Sequence, residues 1–215
     1  MNIHDNNKAL RAKYTITAFF YDILDFPWER MYKHWRPLLL ENLQGKVLEL
    51  GSGTGRNFQY YPAAVNLTAI DLSESMLRRS QQRAQQAHCQ ITLKQEDAAL
   101  MTSIPSEHYD WVVSTFMCCV MPDDLQKQTL EQIHRVLKPG GKFKLLEMTY
   151  SNIPKLRRKQ KFLAPLVEKI YGARFDRQTV HYLKQVAGLS ITQQTFLKDD
   201  TYLLIEGCKE NICSS

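Results

Sequence analysis

Three carboxylates and one glycine-rich bend are the residues of this chain whose types and spacing could do chemistry. The bend, Gly51-Ser52-Gly53-Thr54-Gly55, follows the apolar run Val47 to Leu50. Glycine there takes positive φ and carries no side chain, so backbone N–H groups can approach a ligand. A nicotinamide-binding bend would read GxGxxG, and the place of its third glycine is held by Arg56. Glu49 puts a carboxylate two residues before Gly51, which suits a ligand with a cationic amino group and opposes a pyrophosphate. Asp71 closes the next apolar run, where a carboxylate can accept from both hydroxyls of a ribose. Asp97, in Gln95-Glu96-Asp97-Ala98, closes a third run and is placed for an exocyclic amine. The pattern favours a small cationic nucleoside over a dinucleotide.

Those positions need elements that bring three run ends together. Short apolar runs alternate with helical patterns, which predicts a doubly wound α/β fold with a parallel sheet. The predicted strands are Val47 to Leu50, Leu67 to Ile70, Ile91 to Lys94, Trp111 to Ser114 and Lys142 to Glu147. Ser73 is expected to cap a helix presenting Met76, Leu77, Ser80 and Ala84 on one face. Asp123 is expected to cap another, carrying Leu125, Leu130, Ile133 and Leu137 and stopping at Pro139. Helical segments follow at Lys155 to Tyr171 and Thr179 to Ala187, then a hairpin of Ile191 to Phe196 and Tyr202 to Ile205. Residues 1–45, aromatic-rich and helical over Tyr14 to Tyr21 and Trp28 to Leu40, are expected to form a helical cap over a core at 46–209, within a single domain spanning 1–215.

VLELGSGTGRN, AIDLSESML, QEDA and RVLKPGG resemble the successive motifs of the class I S-adenosylmethionine-dependent methyltransferases, over about Lys46 to Lys209. The resemblance implies a Rossmann-like, seven-stranded, mostly parallel sheet with its last strand antiparallel, and S-adenosylmethionine as the cofactor. It places Glu49, Gly51, Gly53 and Gly55 around the methionine part and Asp71 at the ribose. Leu72 and Met76 fall at the adenine face and Asp97 with Ala98 at its edge. Ser114, ending the fourth strand, and Tyr14 of the cap complete the candidate cofactor set.

Methyl transfer is a displacement at a sulfonium carbon, so positioning and water exclusion carry most of the catalysis and no fixed triad is needed. The fourth strand runs into an apolar wall, Phe116-Met117-Cys118-Cys119, where nucleic-acid amine methyltransferases carry an Asn/Asp-Pro-Pro-Tyr/Phe element. That absence argues against a nucleic-acid substrate. Tyr14 and Tyr21-Asp22 resemble the cap of soluble bacterial phosphatidylethanolamine N-methyltransferases and of quinone-biosynthesis C-methyltransferases. Gly55-Arg56-Asn57-Phe58 with Tyr61-Pro62 is similar to thiol methyltransferases. The resemblance therefore implies a small or lipid-borne acceptor, with an aminophospholipid head group as the leading candidate and a quinone carbon or a thiol as alternatives. Tyr21 and Glu147 are the candidate bases. A dinucleotide-dependent oxidoreductase, opposed by Arg56 and Glu49, and a non-catalytic partner of another methyltransferase are the competing readings.

Composition bounds the rest. Over 215 residues, 44% hydrophobic and 23% charged content with 9 Gly and 8 Pro excludes collagen-like, low-complexity and wholly disordered classes. No stretch is apolar enough for a membrane-spanning helix, and the charged N-terminus is unlike a secretory leader, so a cytoplasmic location is expected. The five cysteines include no CxxC pair and are expected to be free thiols, and no HExxH or Cys/His cluster suggests a metal. Lys155, Arg157, Arg158, Lys159 and Lys161 precede apolar Phe162, Leu163, Leu166, Val167 and Ile170, a pattern suited to peripheral contact with an anionic membrane.

Overall fold

A computed structural model of the chain describes residues 26–211. Helix α1 (Phe26–Leu40) leads into strand β1 (Gly45–Leu50). There follow β2 (Val65–Asp71), α2 (Glu74–Gln85), β3 (Gln90–Gln95), β4 (Tyr109–Thr115), α3 (Asp123–Val136) and β5 (Leu137–Met148). The chain continues through α4 (Pro154–Tyr171), α5 (Thr179–Leu183), β6 (Leu189–Lys198) and β7 (Tyr202–Lys209). The predicted segment Tyr14 to Tyr21 lies outside the described residues.

The strands form one seven-stranded sheet in the order β3-β2-β1-β4-β5-β7-β6. Pairings are parallel from β3 to β5, and β7 runs antiparallel to both its neighbours. The strand order turns back between β1 and β4, and ligands of open α/β sheets bind beyond the carboxyl ends of the strands at that turning point. The ladder aligns Leu50 with Ile70 on one side and Ser114 on the other, so the glycine bend, Asp71 and the β4 exit emerge together.

Strand alternation sends successive residues to opposite faces, and each face has its own core. Leu48, Val112 and Leu145 pack with Leu125, Leu130 and Ile133 of α3. Val47, Val113 and Leu146 pack on the other face with Trp35, Leu39 and Leu40 of α1 and with Phe58 and Tyr61. Val47 to Leu50 are therefore buried throughout, as a strand covered on both faces must be.

Ser73 caps α2 as its sequence implies, its hydroxyl accepting from the Met76 N–H at 3.4 Å. Other expectations need correction. Pro122, not Asp123, occupies the α3 cap position and makes no side-chain bond there, while Asp123 and Asp124 fall inside the first turn, where the helix dipole favours acids. That helix stops at Val136 rather than at Pro139, because the residue before a proline is pushed toward extended backbone and the chain passes directly into β5. The β4–β5 register then shifts between Tyr109 and Trp111, absorbing the Lys138-Pro139-Gly140-Gly141 turn as an irregularity within the ladder. Thr179 to Ala187 yields only the short α5, ending at Leu183.

Candidate functional site

The bend after β1 uses its three glycines differently. All have positive φ: 64° at Gly51, 55° at Gly53 and 78° at Gly55. A Cβ on Gly51 would sit 2.9 Å from Met117 Cγ, and one on Gly55 would sit 2.5 Å from Phe58 Cε2. Gly53 alone faces space, with nothing within 4 Å of where a Cβ would stand. That space is a cavity walled by Gly51, Gly53, Asp71, Leu72, Met76 and Ala98, six of the sequence-proposed positions brought together.

Asp71 anchors its rim. One carboxylate oxygen accepts from the Gly53 N–H and the other from the Ser73 N–H, both at 2.8 Å. Each oxygen has a second lone-pair site free of those bonds, so the carboxylate can hold the turn and still accept from two hydroxyls. Burial pushes the Asp71 carboxyl up, against the pull of those two amide bonds.

Other proposed residues lie behind the cavity. Glu49 is buried beneath the bend, one oxygen accepting from Asn57 Nδ2 at 2.7 Å and the other from the Tyr61 hydroxyl at 3.0 Å. Buried Arg36 of α1 donates in turn to the Asn57 side-chain oxygen. Burial raises the Glu49 carboxyl to about 7 despite these bonds and the nearby Arg36 charge. Asp97 accepts from the Ala99 N–H at 2.9 Å and does not line the cavity, whereas its neighbour Glu96 borders it together with Asp71. Ser114 is fully buried with its hydroxyl unpartnered among the described residues. Gly55 packs over Phe58 rather than the cavity. Glu147 lines a separate cavity with Arg177 and Thr179. Both its oxygens accept backbone N–H groups, from Cys118 at 2.9 Å and Cys119 at 2.8 Å, while burial raises its carboxyl to about 7. Tyr14 and Tyr21 lie outside the described residues.

The link after β4 separates this cavity from a second. Phe116 and Val120 line both. Phe116 holds a φ of 56°, a conformation non-glycine residues adopt at a cost and one concentrated at functional positions. Its N–H donates to the Leu146 carbonyl at 2.7 Å, which fixes the strained residue on the sheet. The second cavity, about 340 Å³, reaches the roughly 300 Å³ typical of small-ligand sites. Rings of Tyr32, Phe116 and Tyr202 stand at its Phe116 end with centroids 4.7 to 6.1 Å apart. Leu156, Leu163 and Val167 of α4 form its apolar flank, and Lys159, Lys198 and Asp199 are exposed residues on its wall. Asp199 also has positive φ, 48°.

The sequence marks Phe116 as part of an apolar wall and reads Leu163 and Val167 as membrane-facing rather than cavity-lining, and it does not single out Glu96, Val120 or Leu156. The available signal was the spacing of Leu156, Leu163 and Val167, which repeats at seven and four residues and so marks one helix face. Among the described residues, no cluster of His, Cys, Asp or Glu is arranged to hold a metal.

A methyltransferase-domain family profile matches residues 47–141. A demethylmenaquinone methyltransferase of Chlamydia caviae is 32% identical over 197 residues, covering 86% of this chain and 82% of the relative. A phosphatidylethanolamine N-methyltransferase of Cereibacter sphaeroides is 33% identical over 99 residues, covering 45% of this chain and 47% of the relative. The chain spans about half the length of that relative and of other curated relatives it matches. The structure of a SAM-dependent methyltransferase from Methanosarcina mazei superposes with a TM-score of 0.60 at 18% identity, covering 78% of this chain and 93% of that one.

Proposed function

Because the chain belongs to the class I S-adenosylmethionine-dependent methyltransferases, we propose that it moves a methyl group from S-adenosylmethionine to the amine of an aminophospholipid head group. The observation that carries this reading is the pair of cavities sharing the Phe116 and Val120 wall. The open face of Gly53 and the spare lone pairs of Asp71 suit a nucleoside with a free ribose, and Met76 and Ala98 offer apolar surface to a flat base. S-adenosylmethionine supplies an electrophilic methyl carbon on a positively charged sulfur.

Acceptor chemistry follows from the second cavity. A head-group amine gains a positive charge as it is methylated, and the faces of Tyr32, Phe116 and Tyr202 can stabilise such a cation. Lys159 and Lys198 carry positive charge for the phosphate that follows the amine, and Asp199 is the described carboxylate on that wall able to receive an ammonium proton. The apolar flank of α4 matches the glycerol and the first acyl carbons.

A quinone carbon is the second reading, supported by the Chlamydia caviae relative and its coverage of 82% of that chain. Incubating the protein with methyl-labelled S-adenosylmethionine and, in separate reactions, phosphatidylethanolamine, demethylmenaquinone and an alkyl thiol decides between them. Label in the phospholipid is the expected result. Label confined to the quinone or the thiol overturns the head-group assignment, and label in none overturns methyl transfer to these classes.

A further inference from the structure

We infer that α4 docks the protein on an anionic lipid bilayer and opens its acceptor cavity sideways into that surface. This rests on the lipid acceptor proposed above, because a cavity of about 340 Å³ holds a head group but not two long acyl chains, whose remainder must stay in lipid. The outer face of α4 is built for such contact. Phe162 is 85% exposed and Leu166 is 55% exposed, and a spacing of four residues stacks them on one face. Lys155, Arg158 and Lys169 lie three, four or seven residues from one or the other, so they share that face. None of the three forms an ion pair with another described residue.

A soluble helix with two large apolar side chains among unpaired cations has charge complementary to anionic head groups and apolar surface to insert beneath them. Leu163 and Lys159 join the outer face to the cavity, since both line the cavity wall and both are exposed. A lipid lying against Phe162 therefore meets the cavity along Leu163 without crossing water.

No described helix is long and apolar enough to cross a membrane. The 215-residue chain is sedimented with vesicles of equal parts phosphatidylglycerol and phosphatidylcholine, which contain no primary amine and so report docking independently of turnover. The wild type should sediment with these vesicles and remain in the supernatant with pure phosphatidylcholine. The triple variant K155Q/R158Q/K169Q should partition roughly a hundredfold less, at about fivefold per cation. The double variant Phe162→Ser with Leu166→Ser should partition at least about tenfold less. These five residues line neither cavity, so both variants should methylate a dissolved short-chain phosphatidylethanolamine like the wild type and lose turnover only when long-chain phosphatidylethanolamine is presented in phosphatidylglycerol vesicles. Wild-type protein left in the supernatant, variants that sediment unchanged, or a dimer that dissociates in the double variant without any vesicle binding would each overturn the docking role. Failure of every variant and the wild type to methylate the short-chain lipid would instead overturn the acceptor assignment alone.

Discussion

Alanine at Gly53 and alanine at Gly55 should damage the protein in opposite ways, although both glycines sit in one bend with positive φ. At Gly53 a Cβ meets nothing within 4 Å, so the folded protein bears only the left-handed backbone penalty of roughly 1–2 kcal/mol. Alanine also restricts the unfolded chain, which offsets about 0.4–1 kcal/mol of that cost. The net loss of about 1 kcal/mol corresponds to a fall of roughly 2–4 °C in melting temperature for a chain of this size. The added methyl group stands in the cavity proposed for the nucleoside, and overpacking of that kind costs about 1–3 kcal/mol, or roughly 5- to 150-fold in affinity. At Gly55 the Cβ lands 2.5 Å from Phe58 Cε2, and that ring is fully buried. Backbone strain and overpacking then add to about 2–5 kcal/mol of lost stability. Calorimetric titration with S-adenosylmethionine and thermal unfolding of both variants read the two quantities separately. If Gly53→Ala bound S-adenosylmethionine as tightly as the wild type, the ligand would lie elsewhere and the cavity assignment would fail.

Glu147 and Glu49 both titrate near 4.5 when unfolded and near 7 when folded, with burial as the main cause. The folded state thus holds the extra protons, so their stabilising contribution is full below pH 4.5 and is lost as the pH rises to about 7, at roughly 3 kcal/mol each. Urea unfolding across that window should show stability falling with pH, and Glu147→Gln should flatten the fall by about half; an unchanged slope would mean the group is already ionised in the fold. Asn57→Leu should cost about 3–5 kcal/mol in the same assay, because it strips partners from Arg36 and Glu49 together in a buried setting, and a loss below about 1 kcal/mol would show that the chain of bonds is dispensable. Phe116→Ala removes the ring shared by both cavities and should lower kcat/KM for the acceptor by roughly 30- to 150-fold, an interaction of about 2–3 kcal/mol; steady-state kinetics that match the wild type would remove Phe116 from the acceptor wall.

Much of the first cavity's lining was legible because its signals are local. Strand, glycine bend and helix follow one another within a few residues, and Asp71 sits two residues before the Ser73 cap whose N–H orients it. Glu49 and Glu147 show where local reading stops: a carboxylate at a strand end looks available, yet Asn57, Tyr61 and the Cys118 and Cys119 amides occupy these two in three dimensions. The second cavity was less legible still, since Tyr32, Phe116, Leu163 and Tyr202 come from four distant segments whose meeting depends on β7 inserting between β5 and β6. Pro122 illustrates the smaller misreading, in which an acid suited to a cap position serves the helix from inside its first turn instead.

The bonded series Arg36, Asn57, Glu49 and Tyr61 also bears on how this scaffold can be recombined. It ties the helix ahead of the sheet to the first strand and to the segment behind the bend, through groups that have no water to fall back on. A chimera that grafted the leading helix of a relative lacking an arginine at that place would strip the donor from the Asn57 side-chain oxygen and remove the positive charge beside the Glu49 carboxylate in one stroke. Exchange between homologues should therefore succeed when these four side chains travel as a set, and fail when the cut falls among them.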